Sequence, residues 1–419
     1  MGALWLALLL VLLFFHLGLL AWVIFEHFLT TDVPAALQHR IKFRILHCVF
    51  LYFVTLGSIL EKLHICSMPK FFRFFQDHAF SRRDPALKIT NLRFGTIRVR
   101  LYQPKAESSK PRRGILFFHG GGGMFGGLDC FYTVCCFLAR ETDSVLLAVG
   151  YRMYPDHGVL TMGQDSLNAS VYFMKNLKNY GVDPNRVLVC GESIGGTLAT
   201  VIAQAFVNKS PFLPDSFMDL SDLPRIRAQI LIYPFLQALN FQLPSHQQNQ
   251  NIPFLKRKLI LNYTCSIMDI NQTWKDAIWK GEFVPPEIWK KYQKWLSDEN
   301  IPKKFKKRNY RPVTHRTFNE AAYLEASRLC HVKHSPLTAD DEVIAQLPET
   351  FILSCEYDLV RDDSILYKKR LEDHGVPVTW YHVEDGFHAS LILFDKKPFS
   401  FPCSVEIMNA VVSYIKGIH

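Results

Sequence analysis

Three segments of this 419-residue chain hold residue types that together perform acyl transfer. The first, Gly191-Glu192-Ser193-Ile194-Gly195-Gly196, follows the apolar run Arg186–Cys190 and precedes a helix-forming stretch, Gly196–Val207. A serine with glycine two residues away on either side fits a tight strand-to-helix turn, where larger side chains would collide. Such a turn lifts the Ser193 hydroxyl to the carboxyl edge of a sheet, above a helix amino terminus. The second segment, His119-Gly120-Gly121-Gly122-Gly123, comes directly after the run Gly114–Phe118. Carbonyl addition places negative charge on oxygen, and fixed backbone N–H donors without side chains can converge on that charge. Gly120, Gly121 and Gly122, with the N–H of Ile194, are the candidate oxyanion hole. A phosphate loop is excluded, since no G-K-[ST] follows and no helix opens there.

The third segment joins Cys355-Glu356-Tyr357-Asp358-Leu359-Val360-Arg361-Asp362-Asp363 to Glu384-Asp385-Gly386-Phe387-His388. Serine, then aspartate, then histidine is an established chain order for a nucleophile, its orienting acid and its base. Asp358 follows the apolar run Thr350–Ser354 and His388 follows Thr379–Val383, so both fall on loops at the edge where Ser193 lies. His388 would take the Ser193 proton and return it to the leaving group while Asp358 orients the ring. Asp362 and Asp363 are alternatives to Asp358, further from the strand end and in the start of a helix.

The elements that must position these loops are legible in the apolar pattern. Leu87–Phe94 and Thr96–Tyr102 alternate around Gly95, as an antiparallel hairpin does. Gly114–Phe118, Ser144–Val149, Arg186–Cys190, Gln229–Tyr233 and Thr350–Ser354 are continuously apolar, the mark of parallel strands covered on both faces. Helix-like stretches such as Asp165–Tyr180 fill the intervals, so the pattern predicts an α/β fold, a mostly parallel sheet with helices on both faces. Residues 243–321 break this rhythm with Asn, Gln, Lys, Pro and Trp and read as a helical lid inserted into a catalytic domain spanning 87–419. The lid carries two basic clusters, Trp289–Trp295 and Lys303–Arg308, whose expected role is a solvated helical face rather than a lipid contact.

Composition narrows the function classes. With 49% hydrophobic and 21% charged residues the chain can bury a core, and global disorder is excluded. Ten cysteines without a single C-x-x-C exclude zinc-ribbon and iron–sulfur sites. The net charge of +10 comes without any recognisable nucleic-acid module, so nucleic acid is not an expected partner.

From Gly2 to Phe25 the only titratable side chain is His16. At about 1.5 Å per residue such a helix exceeds the roughly 30 Å hydrocarbon core, so residues 1–25 are expected to be an uncleaved transmembrane anchor. Residues 26–86 are expected to form a membrane-proximal helical segment contributing to the cap. The second apolar run, Ile45–Leu60, is short for a span and is expected to pack on the globular part or the bilayer surface. Arg40, Lys42 and Arg44 behind the anchor argue for a cytoplasmic body by the positive-inside rule. Four N-x-[ST] sequons, at Asn168, Asn208, Asn262 and Asn271, argue for the lumen of the secretory pathway, and that orientation is preferred. A luminal domain can hold disulfides, and Cys355 could tether its loop to the glycine-rich side through Cys130, whereas Cys190 inside a strand is expected to be a free thiol.

Taken together these residues resemble the hormone-sensitive-lipase-like branch of the α/β hydrolases, and within it the arylacetamide deacetylase family. Tyr151-Arg-Met-Tyr-Pro-Asp-His157, Ile232-Tyr-Pro234 and His334-Ser-Pro-Leu337 are similar to family motifs, and the resemblance runs from about Lys88 to the carboxyl terminus. It implies the α/β-hydrolase fold and a serine carboxylesterase or amide hydrolase acting on small lipophilic esters or amides through an acyl-enzyme, with no metal or organic cofactor. It also implies a single-pass type II protein of the endoplasmic reticulum membrane with a luminal catalytic domain, and assigns triad roles to Ser193, Asp358 and His388. Two positions depart from the family pattern: Gly123 where a bulky residue is common, and Ile194 where alanine is common. The rival expectation is a catalytically silent protein of the same fold that binds a lipophilic ligand or a partner. Retention of all three triad residues counts against it.

Overall fold

The computed structural model describes residues 2–78, 84–209, 220–307, 310–313 and 317–418. One eight-stranded sheet organises the body: β1 (Leu87–Phe94), β2 (Ile97–Pro104), β3 (Arg112–Phe118), β4 (Ser144–Gly150), β5 (Val182–Glu192), β6 (Ala228–Ile232), β7 (Glu349–Tyr357) and β8 (Val378–Phe387). The spatial order is β1-β2-β4-β3-β5-β6-β7-β8. β1 and β2 pair antiparallel, β2 joins β4 antiparallel, and every pairing from β4 to β8 is parallel. The central strands are buried along almost their whole length, which is why they read as continuous apolar runs, while the edge strand β1 alternates.

Two cores sandwich the sheet. One face packs helices at Val159–Lys175, Ile194–Asn208 and Arg361–Asp373 through residues such as Phe173, Ile202 and Leu366. The opposite face packs helices at Tyr132–Glu141 and Pro402–Gly417 through Cys135, Met408 and Ile415. Phe43 and Leu46 join this second core from the amino-terminal region, so that region docks on the body.

Three helices precede the sheet: α1 (Gly2–Thr30), α2 (Arg40–Lys62) and α3 (Met68–His78). Both α1 and α2 are long and apolar enough to cross a membrane by length and composition. α2 is longer than its apolar run because the basic first turn and Glu61–Lys62 are helical too, although they interrupt the hydropathy. It lies beside α1, with His27 Nδ1 2.7 Å from His47 Nδ1 and Tyr52 Oη 2.6 Å from His16 Nδ1.

Between β6 and β7 the chain leaves the sheet for a largely helical excursion that includes Arg257–Met268, Lys275–Lys280 and Pro286–Leu296. Its two basic clusters brace the body. Trp295 and Phe305 are buried, Lys306 pairs with Asp298 at 3.2 Å, and Lys307 reaches Glu356 at 3.7 Å. Arg308 lies outside the described residues.

Candidate active site

The turn after β5 explains the glycines around Ser193. Ser193 itself adopts φ 55°, ψ −120°, a strained conformation that the neighbouring strands hold in place: its N–H donates to Ile232 O at 3.0 Å. A Cβ on Gly195 would sit 2.1 Å from Phe118 O, so only glycine lets the helix start pass beneath β3. The result brings three distant loops together. Ser193 Oγ donates to His388 Nε2 at 2.8 Å, and His388 Nδ1 donates to Asp358 Oδ2 at 2.8 Å. Asp358 is fully buried, and its other oxygen accepts the Val360 N–H at 2.9 Å.

The two alternative acids are occupied elsewhere. Asp363 takes the N–H of Leu236 at 2.9 Å and Gln237 Nε2 at 2.9 Å, and Asp362 takes the N–H of Ser245 at 2.7 Å and Arg361 Nε at 2.9 Å. Both fix the loops around the site rather than its base. Burial, aided by the Asp362 charge, drives Asp363 up to about 7, opposed by the Gln237 side chain and the Leu236 and Gln237 N–H groups. For His388 burial also disfavours charge, but Asp358 facing the ring outweighs it and holds the imidazole above its ordinary value.

The glycine-rich loop divides the four oxyanion candidates. Gly121 has φ +108°, and a Cβ there would lie 2.2 Å from Phe125 O, so the turn requires glycine. The N–H groups of Gly121, Gly122 and Ile194 have no acceptor among the described residues, and all three residues line the cavity that holds Ser193 and His388. Gly120 is different. Its Cα side faces Glu192, where a Cβ would lie 1.6 Å from Oε2, and it is absent from the cavity wall. Gly120 thus packs against Glu192, and Gly121, Gly122 and Ile194 are the oxyanion candidates that face the cavity. His119 anchors the loop: its Nδ1 donates to Gly120 O at 2.8 Å and its ring stacks on Tyr151 at 4.3 Å. Burial pushes His119 down to about 4, so the ring is neutral.

Glu192 is a site residue that sequence reading did not assign. It is fully buried, and neither carboxylate oxygen makes a hydrogen bond within the described residues. Burial raises it to about 7, while His388, Tyr233 and the Gly120 N–H, close by, oppose the rise. The signal was available: Glu192 is the only acid in the run from Val187 to Ile202, with no basic residue beside it.

The cavity measures about 380 Å³, within the range of small-molecule sites. Its wall is apolar, built from the excursion (Phe254, Tyr263), the body (Phe125, Phe387) and the amino-terminal helices (Leu46, Phe50). A smaller cavity of about 70 Å³ adjoins it, and Ile194, Phe235 and Met268 line both. Gly123, by contrast, lies outside either wall and adopts φ +72°.

One expectation is revised. Cys130 and Cys355 are free buried thiols, and no disulfide joins them. Cys355 Sγ instead fills the space under Gly386, where a Cβ would come within 2.6 Å of it. Among the sequons, Asn271 and Asn208 are exposed, although Ser210 of the second lies outside the described residues. Asn168 is half-buried on its helix and held by Gln164. Asn262 is half-buried on the helix Arg257–Met268, with its side-chain oxygen buried. No group of three or more metal-ligating side chains occurs among the described residues.

A mostly parallel eight-stranded sheet, with a serine on its strand-to-helix turn and an aspartate and histidine following in that order, defines an α/β hydrolase. A family model described as alpha/beta hydrolase fold matches residues 115–281 and 283–392. The human protein arylacetamide deacetylase-like 4 is 61% identical over 414 residues, covering 99% of both chains. Human arylacetamide deacetylase-like 3 is 50% identical, over 96% of this chain and 97% of its own. Neutral cholesterol ester hydrolase 1 of Pongo abelii is 34% identical over 79% of this chain and 80% of its own. A thermostable esterase from Pseudomonas putida shares the fold with a TM-score of 0.62, at 19% identity over 92% of this chain and 99% of its own. The chain belongs to the arylacetamide deacetylase-like proteins of the α/β-hydrolase family.

Proposed function

We propose that this protein is a membrane-anchored serine esterase or deacetylase that cleaves apolar acyl esters or amides. The observation that carries the reading is the continuous relay Ser193–His388–Asp358 opening into an apolar cavity beside unpaired N–H groups. His388 removes the Ser193 proton as Oγ attacks the carbonyl carbon, and the oxyanion takes hydrogen bonds from Gly121, Gly122 and Ile194. Collapse expels the alcohol or amine, which receives the proton from His388. Water activated by the same ring then hydrolyses the acyl-enzyme and frees Ser193.

The names of the relatives support the same chemistry, since a cholesterol ester hydrolase is among them. The α1 helix, apolar and exposed, serves in this reading as a single-pass anchor, and residues 26–86 with the excursion at 243–321 cap the cavity. Exposed Asn271 and Asn208 favour a luminal catalytic domain in the endoplasmic reticulum. Labelling by a fluorophosphonate probe in membranes tests the mechanism without knowledge of the substrate. The wild type is expected to label and Ser193→Ala to remain dark; a folded wild type that does not label overturns the proposal. Glycosidase-sensitive mobility, lost in Asn271→Gln combined with Asn208→Gln, tests the orientation.

A further inference from the structure

The wall of the catalytic cavity continues into the amino-terminal helices, and the character of its rim points to the source of the substrate. α2 presents Leu46, Val49, Phe50 and Phe53 to the cavity, a spacing that keeps them on one helical face. The other side of the same helix contacts α1 through His47 and Tyr52. α3 closes the opposite side of the opening. Phe72 packs on Phe125 at 4.8 Å, Arg73 donates to Met124 O at 2.7 Å and Tyr154 O at 2.8 Å, and Phe75 meets Phe53 at 4.7 Å.

Three wall residues are also exposed outside: Val49 at 43%, Phe75 at 41% and Phe399 at 37%. They mark where the cavity meets the surface, and all three are apolar. A mouth serving water-soluble esters has no physical reason to be ringed by exposed aromatic and aliphatic groups, whose hydration is unfavourable. The apolar surface does not stop at the rim. Ile41 and Ile45 extend the Val49 stripe along α2 at 77% and 55% exposure, and α1 continues it with its exposed leucines and phenylalanines.

We infer that the opening rimmed by Val49, Phe75 and Phe399, beside the packed pair α2 and α3, is a lateral portal held in the hydrocarbon region of the bilayer, through which esters dissolved in the membrane reach Ser193 without crossing water. The occupant of the rim is the acyl-chain layer that α1 already occupies. This rests on the esterase reading and specifies its substrate class: long-chain, membrane-resident esters in preference to soluble ones. Transfer of each methylene from bilayer to cavity is then close to neutral. Withdrawing the same chain into water first would expose every methylene to unfavourable hydration.

The test uses the full chain reconstituted in phosphatidylcholine vesicles, with 4-methylumbelliferyl oleate as membrane probe and 4-methylumbelliferyl acetate as soluble probe. Oleate placed in the enzyme's own vesicles is expected to turn over at least tenfold faster than the same amount in separate, enzyme-free vesicles. Ile41→Asp combined with Ile45→Asp, which moves charge onto the membrane-facing stripe, is expected to lower oleate turnover at least fivefold and leave the acetate rate within twofold. Leu324→Asp, an equally exposed apolar position on the excursion, is expected to change neither rate. Equal oleate rates from the two vesicle populations, or an unchanged oleate rate in the α2 variant, overturn the portal while acetate turnover and fluorophosphonate labelling leave the esterase intact. Absence of both acetate turnover and labelling in the wild type overturns esterase and portal together.

Discussion

Asp358→Asn isolates the contribution of one buried charge to the proposed catalysis. As the reaction proceeds His388 becomes an imidazolium whose Nδ1 lies 2.8 Å from Asp358 Oδ2. Opposite unit charges at that separation attract by about 6 kcal/mol at an effective dielectric constant of about 20. Asparagine keeps the shape and an oxygen for the Val360 N–H but removes the charge. At about 1.36 kcal/mol per decade, the loss corresponds to roughly four decades in kcat. The same substitution in a well-studied serine triad costs a comparable ~10⁴.

The pH profile gives a second readout. His388 must be neutral to act as base, so activity rises as pH climbs through its pKa, which lies above the ordinary 6.5 because of Asp358. Without that charge burial prevails, and the acid limb of the residual activity moves to lower pH. The assay is turnover of 4-methylumbelliferyl acetate across the pH range, with kcat and KM separated and thermal unfolding as the check on folding. Asp363→Asn and Asp362→Asn are expected to reduce stability more than they move the limb, since both hold backbone and side-chain donors away from the base. An Asp358→Asn enzyme that retains a tenth of wild-type kcat, or an unmoved acid limb, refutes the assignment.

Glu192 makes stability depend on pH. Its folded value of about 7 exceeds the 4.5 of an exposed glutamate, so the folded state binds the proton more tightly and stability falls as pH rises from 4.5 to 7. The loss amounts to about 3 kcal/mol, and Glu192→Gln is expected to raise the melting temperature at pH 8 but much less at pH 5, measured by calorimetry. Ile194 separates the main cavity from the smaller one, so Ile194→Ala is expected to join them and to shift acyl preference toward bulkier or branched groups by about tenfold, read as ratios of kcat/KM over a panel of umbelliferyl esters.

The chemistry was legible in the sequence where sterics leave no choice. The Ser193 elbow and the central strands were read from glycine spacing and from burial on both sheet faces, and each strand was placed within a few residues of its observed limits. His388 stood out through its place in chain order after Ser193 and Asp358, although β8 runs on to Phe387, so Gly386 lies in the strand and His388 directly follows it. Other features depend on contacts between segments far apart, which no local pattern encodes. That Gly120 lies against Glu192 follows from how the β3 and β5 loops meet. The Cys130–Cys355 pairing came from compartment and sequence position, whereas the depth of Cys355 beneath Gly386 is set by the pairing of β7 with β8. The full extent of α2 was hidden because charged residues at its ends break the hydropathy but not the helix.

The strand order also sets a timetable for the nascent chain. β6 emerges from the ribosome with one neighbour, β5, already made; its other partner is β7, and Gln229 and Thr350, which bond across that seam, are 121 residues apart. At about 5–20 residues per second this apolar strand edge stays open for roughly 6–24 seconds, long enough to recruit the wrong partner. His388 follows Ser193 by 195 residues, so the nucleophile remains without its base for longer still. A ribosome stalled anywhere in the excursion would therefore leave an incomplete sheet with an open apolar edge, prone to aggregate, and a Ser193 without His388.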